Sequence, residues 1–426
     1  MKKILTLVIV TILLVVSVGC ASSDPKTPSV EKAEINYMVS GGSPFSVAVI
    51  KKIPEFEAAT GIKVNVIELP YEQTLPKAIL EATSQSGVYD VIQINRPNLA
   101  ALVEPDLLLP LNDLLSKSTI DNLFDVHKEY GTFDSSLYAV PHSVDVRTLY
   151  YRTDLFEEKG IAKAPETWEE LRDAANALND PANGVYGLLI AGNNGPGAWT
   201  LSDFLMQAGS GIIDENGKPI LNNEAGVKAL TFIKSLKEDG VLSDGTPNYI
   251  WSDTRAQFAQ GAAAMVIEFN DIVPMLEDAT TSVVSGKYDL ALIPGDVRQA
   301  TNNAGWLLGI PKGVKNPEAA STFIDWVMSP EIQMHMSIES GTMSANKEAM
   351  QMLVDNGDPG LGREDPRSSA RWELYTQLTA TTYELPRTSS EPEIEEILAQ
   401  AYSAVFVGQK TPKQALDDAA KAIEGL

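Results

Sequence analysis

The chain has 426 residues, of which 44% are hydrophobic, 21% are charged and 7% are aromatic, and its formal net charge at pH 7 is −24. This length exceeds what one hydrophobic core usually serves, so we expect two lobes. So acidic a balance disfavours nucleic acid as a partner, because phosphates would be repelled. The single cysteine excludes a disulfide framework within the chain and any metal site built from several thiolates.

The N-terminus has the pattern of an export signal. Two lysines are followed by an apolar run of about a dozen residues that ends at Val16, and small residues then precede Cys20. The run is shorter than the roughly 20 residues that a membrane-spanning helix needs. The segment around Cys20 resembles a bacterial lipobox, although Ser17 stands where leucine is usual. We predict a signal peptide over 1–19, acylation of Cys20 and a flexible tether over 20–32. The alternative is a plain secretory signal in which the cysteine is incidental.

Strands and helices alternate in the next part of the chain. We predict strands over Glu34–Val39, Ile62–Ile67 and Val88–Ile94, where β-branched and other apolar residues are concentrated. The spacing predicts one helix from Pro44 to Thr60 and another over 72–83. Strands separated by such helices form βαβ units with a parallel sheet, and ligands bind beyond the carboxyl ends of its strands.

Helix signals recur through the rest of the chain. Residues 167–170 and 411–414 have the pattern of capping boxes, each followed by apolar residues at helical spacing. A capping residue precedes proline at 316–317 and at 329–330, which predicts two further helix starts. Two extended segments are predicted over Leu137–Pro141 and Val144–Tyr151, with a gap at 142–143. The chain is therefore predicted to be α/β throughout.

Several stretches carry the pattern of one protein family, in the order that the family has them. They are Phe56–Val64, Tyr89–Ile92, Tyr138–Phe156, Pro165–Leu171, Phe258–Met265, Gly305–Ile310 and Lys315–Trp326. On these stretches the chain resembles the family 1 extracellular solute-binding proteins, the sugar receptors of ATP-driven importers that include maltose-binding protein. The resemblance implies an α/β, two-lobed type II periplasmic-binding-protein fold, with the ligand in a cleft between lobes that a multi-segment hinge joins.

The resemblance also implies how the chain is divided between the two lobes. The first lobe would comprise residues 33–145 plus 308–345. The second lobe would comprise residues 146–307 plus 346–426. The chain would therefore cross between the lobes several times, and the first crossing would fall near residue 145.

A sugar presents hydroxyl groups at its edges and C–H groups on its faces, so its cleft needs polar side chains and aromatic rings. Both kinds occur where the family fold would direct them at the cleft. The candidates after the first strands and at the first crossing are Ser40, Gly41, Ser43, Asn95, Arg96, His142, Asp145 and Arg147. The candidates in or beside the second lobe, or on a late loop that the family places near the cleft, are Trp199, Trp251, Glu268, Asn270, Trp306, Tyr383 and Arg387.

Several of these candidates have a structural alternative. Arg96 could pair with Glu104 at the surface, and Arg147 could be an ordinary solvated strand residue. Glu268 ends an apolar strand, so it lies either at the cleft or in an internal salt bridge. The tryptophans that we assign to helix cores or to a structural role are Trp168, Trp326 and Trp372.

The function that these features favour is that of a lipid-anchored extracytoplasmic receptor. It would capture a sugar, oligosaccharide or polyol and deliver it to the membrane permease of an ABC importer. An anionic sugar derivative is the alternative solute, because Arg96, Arg147 and Arg387 could bind a carboxylate or phosphate. An exported glycoside hydrolase would need a marked pair of carboxylates, and the sequence shows none. We expect a monomer that is not an enzyme and has no cofactor and no metal site.

Overall fold

The computed structural model describes residues 33–193, 195–357, 365, 367–383 and 388–426. The predicted signal peptide, tether and acylation site at Cys20 lie outside these residues, as does the candidate Arg387. From Ala33 onwards the chain forms one compact unit. None of the helices in the described ranges combines the length and the apolar character that crossing a membrane requires.

The described residues form ten strands and seventeen helices, besides short 3-10 turns. The strands are β1 Glu34–Ser40, β2 Lys63–Leu69, β3 Val91–Asn95, β4 Thr132–Phe133, β5 Ser136–Leu137, β6 Ala139–Arg152, β7 Met265–Phe269, β8 Tyr288–Ala291, β9 Thr301–Gly309 and β10 Thr382–Tyr383. The helices are α1 Pro44–Thr60, α2 Tyr71–Ser84, α3 Ala100–Val103, α4 Lys117–Asp121, α5 Asp125–Tyr130, α6 Thr153–Lys159, α7 Trp168–Leu178, α8 Pro196–Gln207, α9 Glu224–Glu238, α10 Trp251–Ala259, α11 Val273–Glu277, α12 Pro317–Val327, α13 Pro330–Ser340, α14 Lys347–Asn356, α15 Arg367–Leu378, α16 Glu391–Phe406 and α17 Pro412–Ile423.

The predicted alternation of strands and helices is confirmed from β1 to β3. β1 pairs in parallel with β2 along its length and with β3 at its centre. α1 begins at Pro44 as predicted, and it ends where Gly61 adopts a φ of 74° and donates its N–H to the carbonyl of Glu57. β3 begins at Val91, later than predicted, because Asp90 instead bonds Asn36 through its carboxylate and its backbone N–H.

The sheet continues beyond the predicted parallel part and becomes mixed. Its strand order is β2-β1-β3-β9-β6-β7, with β10 pairing to β9 and β8 pairing to β6. β9 is antiparallel to both β3 and β6. The two predicted extended segments are joined in the single strand β6, except that Leu137 lies in β5 and Tyr138 precedes β6. Its first part pairs with β9, and its later part pairs with β7 and β8.

Two large hydrophobic clusters organise the described residues around β6. The first core receives Val140 and Val144 from β6 and packs β1, α1, β9 and α12 together. The second core receives Leu149 from β6 and packs α7, α8, α9, α16 and α17 together. The structural assignments of Trp168 and Trp372 are confirmed, since they lie buried in the second and first cores respectively, and Trp326 packs partly buried against the first core.

The local signals for helix starts are confirmed. Thr167 accepts the N–H of Glu170, whose side chain returns a bond to the Thr167 backbone, and Thr411 and Gln414 form the same capping box. α12 and α13 begin with proline at the two predicted positions. α14 and α15 contribute side chains to the first core although they follow residue 346. The predicted boundaries between lobes stay a prediction.

Candidate functional site

A cavity of about 550 Å³ opens where β1, β2 and β3 end. Its lining residues are Ser43, Pro44, Phe45, Tyr71, Asn95, Pro97, Asn98, Asp145, Gly195, Pro196, Trp199, Trp251, Arg255, Phe269, Asp271, Ala304, Trp306, Pro392 and Glu395. Phe45 and Trp306 belong to the first core, and Trp199 packs against the second. The cavity therefore lies between the two cores, at the carboxyl ends of parallel strands, where α/β sheets bind ligands.

Aromatic rings form two groups on the cavity lining. Phe269, the last residue of β7, contacts both Trp251 and Trp199 edge-to-face, with ring centroids 5.0 Å and 5.9 Å away. On the other side, Trp306 of β9 meets Tyr71 edge-to-face at 5.8 Å. Ring faces of this kind can pack against the C–H groups of a small organic ligand.

Polar side chains lie among these rings, and several of them are incompletely hydrogen-bonded. Asn95 ends β3, Asp145 lies in β6, Arg255 in α10 and Glu395 in α16. The atoms Asn95 Oδ1, Asp145 Oδ1, Arg255 Nε and Glu395 Oε1 are buried and have no hydrogen-bond partner among the described residues. Buried polar atoms are normally satisfied, so these atoms are available to a ligand or to water.

The carboxyl groups of the cavity have perturbed proton affinities. Burial and, to a smaller extent, the nearby Asp271 raise the pKa of Asp145 to about 8 against the opposing effect of Arg255. Burial also raises the pKa of Glu395 to about 7, against the opposing effects of Arg96 and a hydrogen bond with Trp199. Perturbed carboxyl groups in a cleft are typical of functional sites.

Arg255 is held within the protein by two carboxylates. Its guanidinium donates to Asp271 at 3.0 Å and to Glu268 at 3.4 Å. Burial lowers the pKa of Arg255, but Glu268 and Asp271 outweigh that effect and raise it. The side chain of Glu268 also accepts bonds from Thr254 and from the backbone N–H of Phe269. Glu268 thus takes part in an internal salt bridge, the alternative that its sequence position left open.

The structure brings together six of the predicted site residues on the cavity lining. They are Ser43, Asn95, Asp145, Trp199, Trp251 and Trp306. Trp251 opens α10, as its sequence position indicated, and Trp306 follows Gly305 within β9. Asn95 lies opposite Trp306 in the β3–β9 ladder, so a polar group and a ring lie side by side. Their contact with a ligand stays a prediction.

Arg147 lies outside the lining but supports it. It is buried and pairs with Asp203, and its guanidinium donates to the backbone carbonyl of Trp199 at 2.6 Å and to Thr200 at 3.2 Å. The guanidinium carbon lies 5.7 Å from the centroid of the Trp251 ring. Arg147 is thus a buried residue, not a solvated strand position, and it contacts both cavity tryptophans on that side.

Tyr383 belongs to the same buried network. Its hydroxyl donates to Asp203 at 2.8 Å, and the backbone N–H of Asn302 donates to the same carboxylate at 2.7 Å. Burial raises the pKa of Asp203, and Arg147 opposes that effect. Tyr383 is therefore adjacent to the site through Asp203 and does not line the cavity.

Arg96 is paired with an acidic residue far away in sequence. Its guanidinium lies 2.6 Å from Glu391 at the start of α16, and the two side chains are only 5% and 3% exposed. Glu104, the partner that the sequence offered, instead accepts the backbone N–H of Ser389. This buried pair joins the turn after β3 to the helix that carries Glu395.

The remaining candidates are engaged with protein groups. His142 is buried with Nε2 3.1 Å from the amide nitrogen of Gln93, and burial lowers its pKa to about 3. Asn270 binds the backbone of β6 at Val146 and Val144. Ser40 and Gly41 are held through their backbone N–H groups, by Gln93 and by the carbonyl of Leu69 respectively. None of the four lines the cavity.

Sequence reasoning missed several lining residues. Tyr71 follows the carboxyl end of β2, so the rule that selected Asn95 after β3 could have found it. Arg255 lies one helical turn after Trp251 in α10, and this spacing places both on one face. Glu395 had no local signal, because its position depends on how α16 packs against α8 and the turn after β3.

The mixed sheet, the two cores and the cavity at the strand ends define a type II periplasmic-binding-protein fold, as predicted. The maltose-bound protein MalE3 of T. maritima shares this fold, with a TM-score of 0.80 and 23% identity over 92% of this chain and 99% of that one. The pattern described as bacterial extracellular solute-binding protein matches residues 38–334. The chain belongs to this family.

Two further relatives cover most of the chain. A solute-binding protein of an ABC transporter from Agrobacterium radiobacter K84, solved in complex with ribitol, has a TM-score of 0.76 and 26% identity. Its match covers 92% of this chain and 99% of that chain. The arabinooligosaccharide-binding protein of Bacillus subtilis is 23% identical over 455 residues, which cover 99% of each chain. Both of these relatives are described as binding proteins.

Proposed function

We propose that this protein captures a carbohydrate in the cavity and delivers it to the permease of an ABC importer. The observation that carries this proposal is that one lining holds three tryptophans together with several buried polar atoms that have no hydrogen-bond partner in the described part of the chain. Rings match the C–H faces of a sugar or polyol, and the polar atoms match its hydroxyl edges. The relatives bound to maltose and ribitol, and the arabinooligosaccharide-binding relative, support the same solute class.

The volume of the cavity fits a small ligand. At about 550 Å³ it falls within the range of roughly 300–1,000 Å³ that is usual for small-molecule sites. A solute that touches Trp306 on one side and Trp199 on the other would contact residues from both cores. Such a solute stabilises the conformation in which the two sides of the cavity are close together. We propose that this conformation docks on the permease.

The charges around the cavity disfavour the anionic alternative. Two of the arginines that motivated it, Arg96 and Arg147, are paired with buried carboxylates, and Arg387 lies outside the described residues. The described lining carries the carboxyl groups of Asp145, Asp271 and Glu395 but only one guanidinium. An anionic sugar would therefore meet repulsion rather than an available arginine.

Isothermal titration calorimetry against monosaccharides, oligosaccharides and polyols tests the proposal. We expect one group of these solutes to bind, and Trp251→Ala to weaken that binding about tenfold or more through loss of the ring face. Tyr138→Ala, which removes a partly buried ring outside the lining, is the matched control and should leave affinity unchanged. Binding of an amino acid, peptide or polyamine, with no binding across the carbohydrate panel, would contradict the proposal.

We further propose that the protein works outside the cytoplasm, anchored by acyl chains on Cys20 as a monomer near its permease. The lipobox resemblance and the polar tether over 20–32 support this, since a tethered receptor reaches a high local concentration. Mass spectrometry of the mature N-terminus should find an acylated cysteine. Cys20→Ala should release the protein from membranes, whereas Ser23→Ala should not. A mature chain that begins with a free cysteine would remove the anchor and leave a secreted receptor.

A further inference from the structure

Asp145 is unusual among the carboxyl groups of the cavity because none of the described residues forms a hydrogen bond or an ion pair with its side chain. It lies in β6 on the cavity lining, and its Oδ1 is buried without a hydrogen-bond partner among the described residues. Arg255, the one guanidinium that the described residues bring to the lining, is paired with Glu268 and Asp271 instead. A buried carboxylate without a partner is costly, so a ligand that supplies one gains affinity.

The neighbouring charges make ionisation of Asp145 still less favourable without a cationic partner. Asp271 raises the pKa of Asp145 in the same direction as burial, and Arg255 only partly opposes them. The remaining carboxyl group of the lining, Glu395, also has its pKa raised by burial. The described lining thus has an excess of acidic groups over its single guanidinium, and that guanidinium is already neutralised.

We propose that the solute carries a protonated amine, as an amino sugar or amino polyol does, and that Asp145 binds its ammonium group. This inference rests on the proposed carbohydrate-binding function and specifies its substrate class. An ammonium group would donate to the unpartnered oxygen and supply the missing opposite charge. A neutral hydroxyl brings no opposite charge, so it would leave the carboxyl group protonated and exchange only a single hydrogen bond with it.

The rings beside Asp145 fit the same ligand. Asp145 faces Ala304 across the β6–β9 ladder, and Trp306 lies two residues further along β9 on the same cavity lining. Sites that bind amines combine a carboxylate with ring faces, because the electron-rich face attracts a cation and also packs against C–H groups. We therefore expect the Trp306 ring to pack against the C–H groups beside the bound ammonium group.

Matched ligand pairs that differ only at the amine test the inference. The pairs are glucosamine with glucose, 1-amino-1-deoxysorbitol with sorbitol, and the fully deacetylated chitosan disaccharide with cellobiose. Calorimetry at pH 7 should show the amine of at least one pair binding roughly 10- to 100-fold more tightly than its neutral partner. Asp145→Asn should abolish that preference, and Asp113→Asn, which alters an exposed carboxylate outside the lining, should preserve it.

Proton release gives a second measurement that a general loss of fold would not imitate. Because the pKa of Asp145 is raised in the empty site, the arrival of an ammonium group should expel a proton from wild-type protein. Titrations in buffers of different ionisation enthalpy should detect that release, and Asp145→Asn should lack it while still unfolding cooperatively.

The possible failures are distinguishable. Neutral members that bind as tightly as their amines would overturn the inference and leave carbohydrate binding intact. A preference for amines that survives Asp145→Asn would overturn the role of Asp145. Absence of binding by every member of every pair, with binding of some other solute class, would overturn the proposed function and the inference together.

Discussion

Removing the guanidinium of Arg147 should both destabilise the protein and disturb the cavity. In Arg147→Met, the carboxylate of Asp203 stays buried and keeps only the hydroxyl of Tyr383 and the backbone N–H of Asn302. The backbone carbonyl of Trp199 and the hydroxyl of Thr200 lose a donor as well. The substitution keeps a long apolar side chain, so lost packing contributes little.

The size of the effect follows from the burial of the pair. Both partners are only 1% exposed, and breaking a buried ion pair by removing one partner costs about 3–5 kcal/mol of the free energy of unfolding. The loss should grow with pH. Without Arg147 the pKa of Asp203 rises further, so the native state retains a proton that the unfolded state releases above its ordinary pKa. Stability of the variant therefore falls as pH rises from 5 to 8.

Urea denaturation at pH 5 and pH 8, followed by circular dichroism, measures this difference. The control is Arg172→Met, because Arg172 forms a pair with Asp239 at the surface, where the side chains are 44% and 21% exposed. An exposed pair of this kind should cost less than about 1 kcal/mol. Equal losses for the two variants would refute the reasoning, and so would a loss in Arg147→Met that shrinks as pH rises.

Three further predictions use other features of the fold. Gly305→Ala should lower the free energy of unfolding by about 3 kcal/mol, because φ of Gly305 is +144° and a Cβ would lie 2.5 Å from a backbone carbonyl oxygen of β6. The control Gly217→Ala has open space around the new Cβ and should cost about 1 kcal/mol. Similar midpoints of urea denaturation for the two variants would contradict this prediction. Burial lowers the pKa values of His127 and His142 to about 3, so below pH 6.5 the unfolded state takes up protons that the native state does not. This should remove up to about 2 kcal/mol of the free energy of unfolding per histidine by pH 5. His127→Gln should reduce this loss of stability with falling pH in chemical denaturation, and an unchanged pH dependence would count against it. Because the pKa of Asp145 is raised to about 8, wild type loses stability above pH 5 as the unfolded state releases a proton that the native state keeps. The stability advantage of ligand-free Asp145→Asn over wild type should therefore be about 4 kcal/mol larger at pH 9 than at pH 5, and thermal melts that show no pH-dependent gap would contradict the shift.

Much of the fold could be predicted from the sequence because its signals are local. Proline at Pro44 and the capping boxes at 167–170 and 411–414 determine where helices begin, since the atoms that satisfy the first N–H groups lie within one turn. The parallel strands β1 to β3 follow from apolar runs separated by helices. The family resemblance then supplied the overall arrangement, and the match to the solute-binding family confirms it.

The limits of the prediction appear wherever a partner comes from far along the chain. β6 is one strand rather than two extended segments because β9, more than 150 residues later, pairs across the predicted gap. Arg96 pairs with Glu391, which is 295 residues away, and not with the nearby Glu104. The sequence places such residues in plausible elements, but burial and pairing are properties of how those elements pack.

The sequence by itself determined the class of protein, most of the element starts and six residues that now line one cavity. Residues at the ends of strands reach the cavity because the carboxyl edge of a parallel sheet is determined by topology alone. Only the tertiary structure decided which polar groups are already paired. It paired Arg96, Arg147 and Glu268 within the protein and gave Asp145 no partner among the residues that the structure describes, because ion pairing depends on distances between elements that no local pattern encodes.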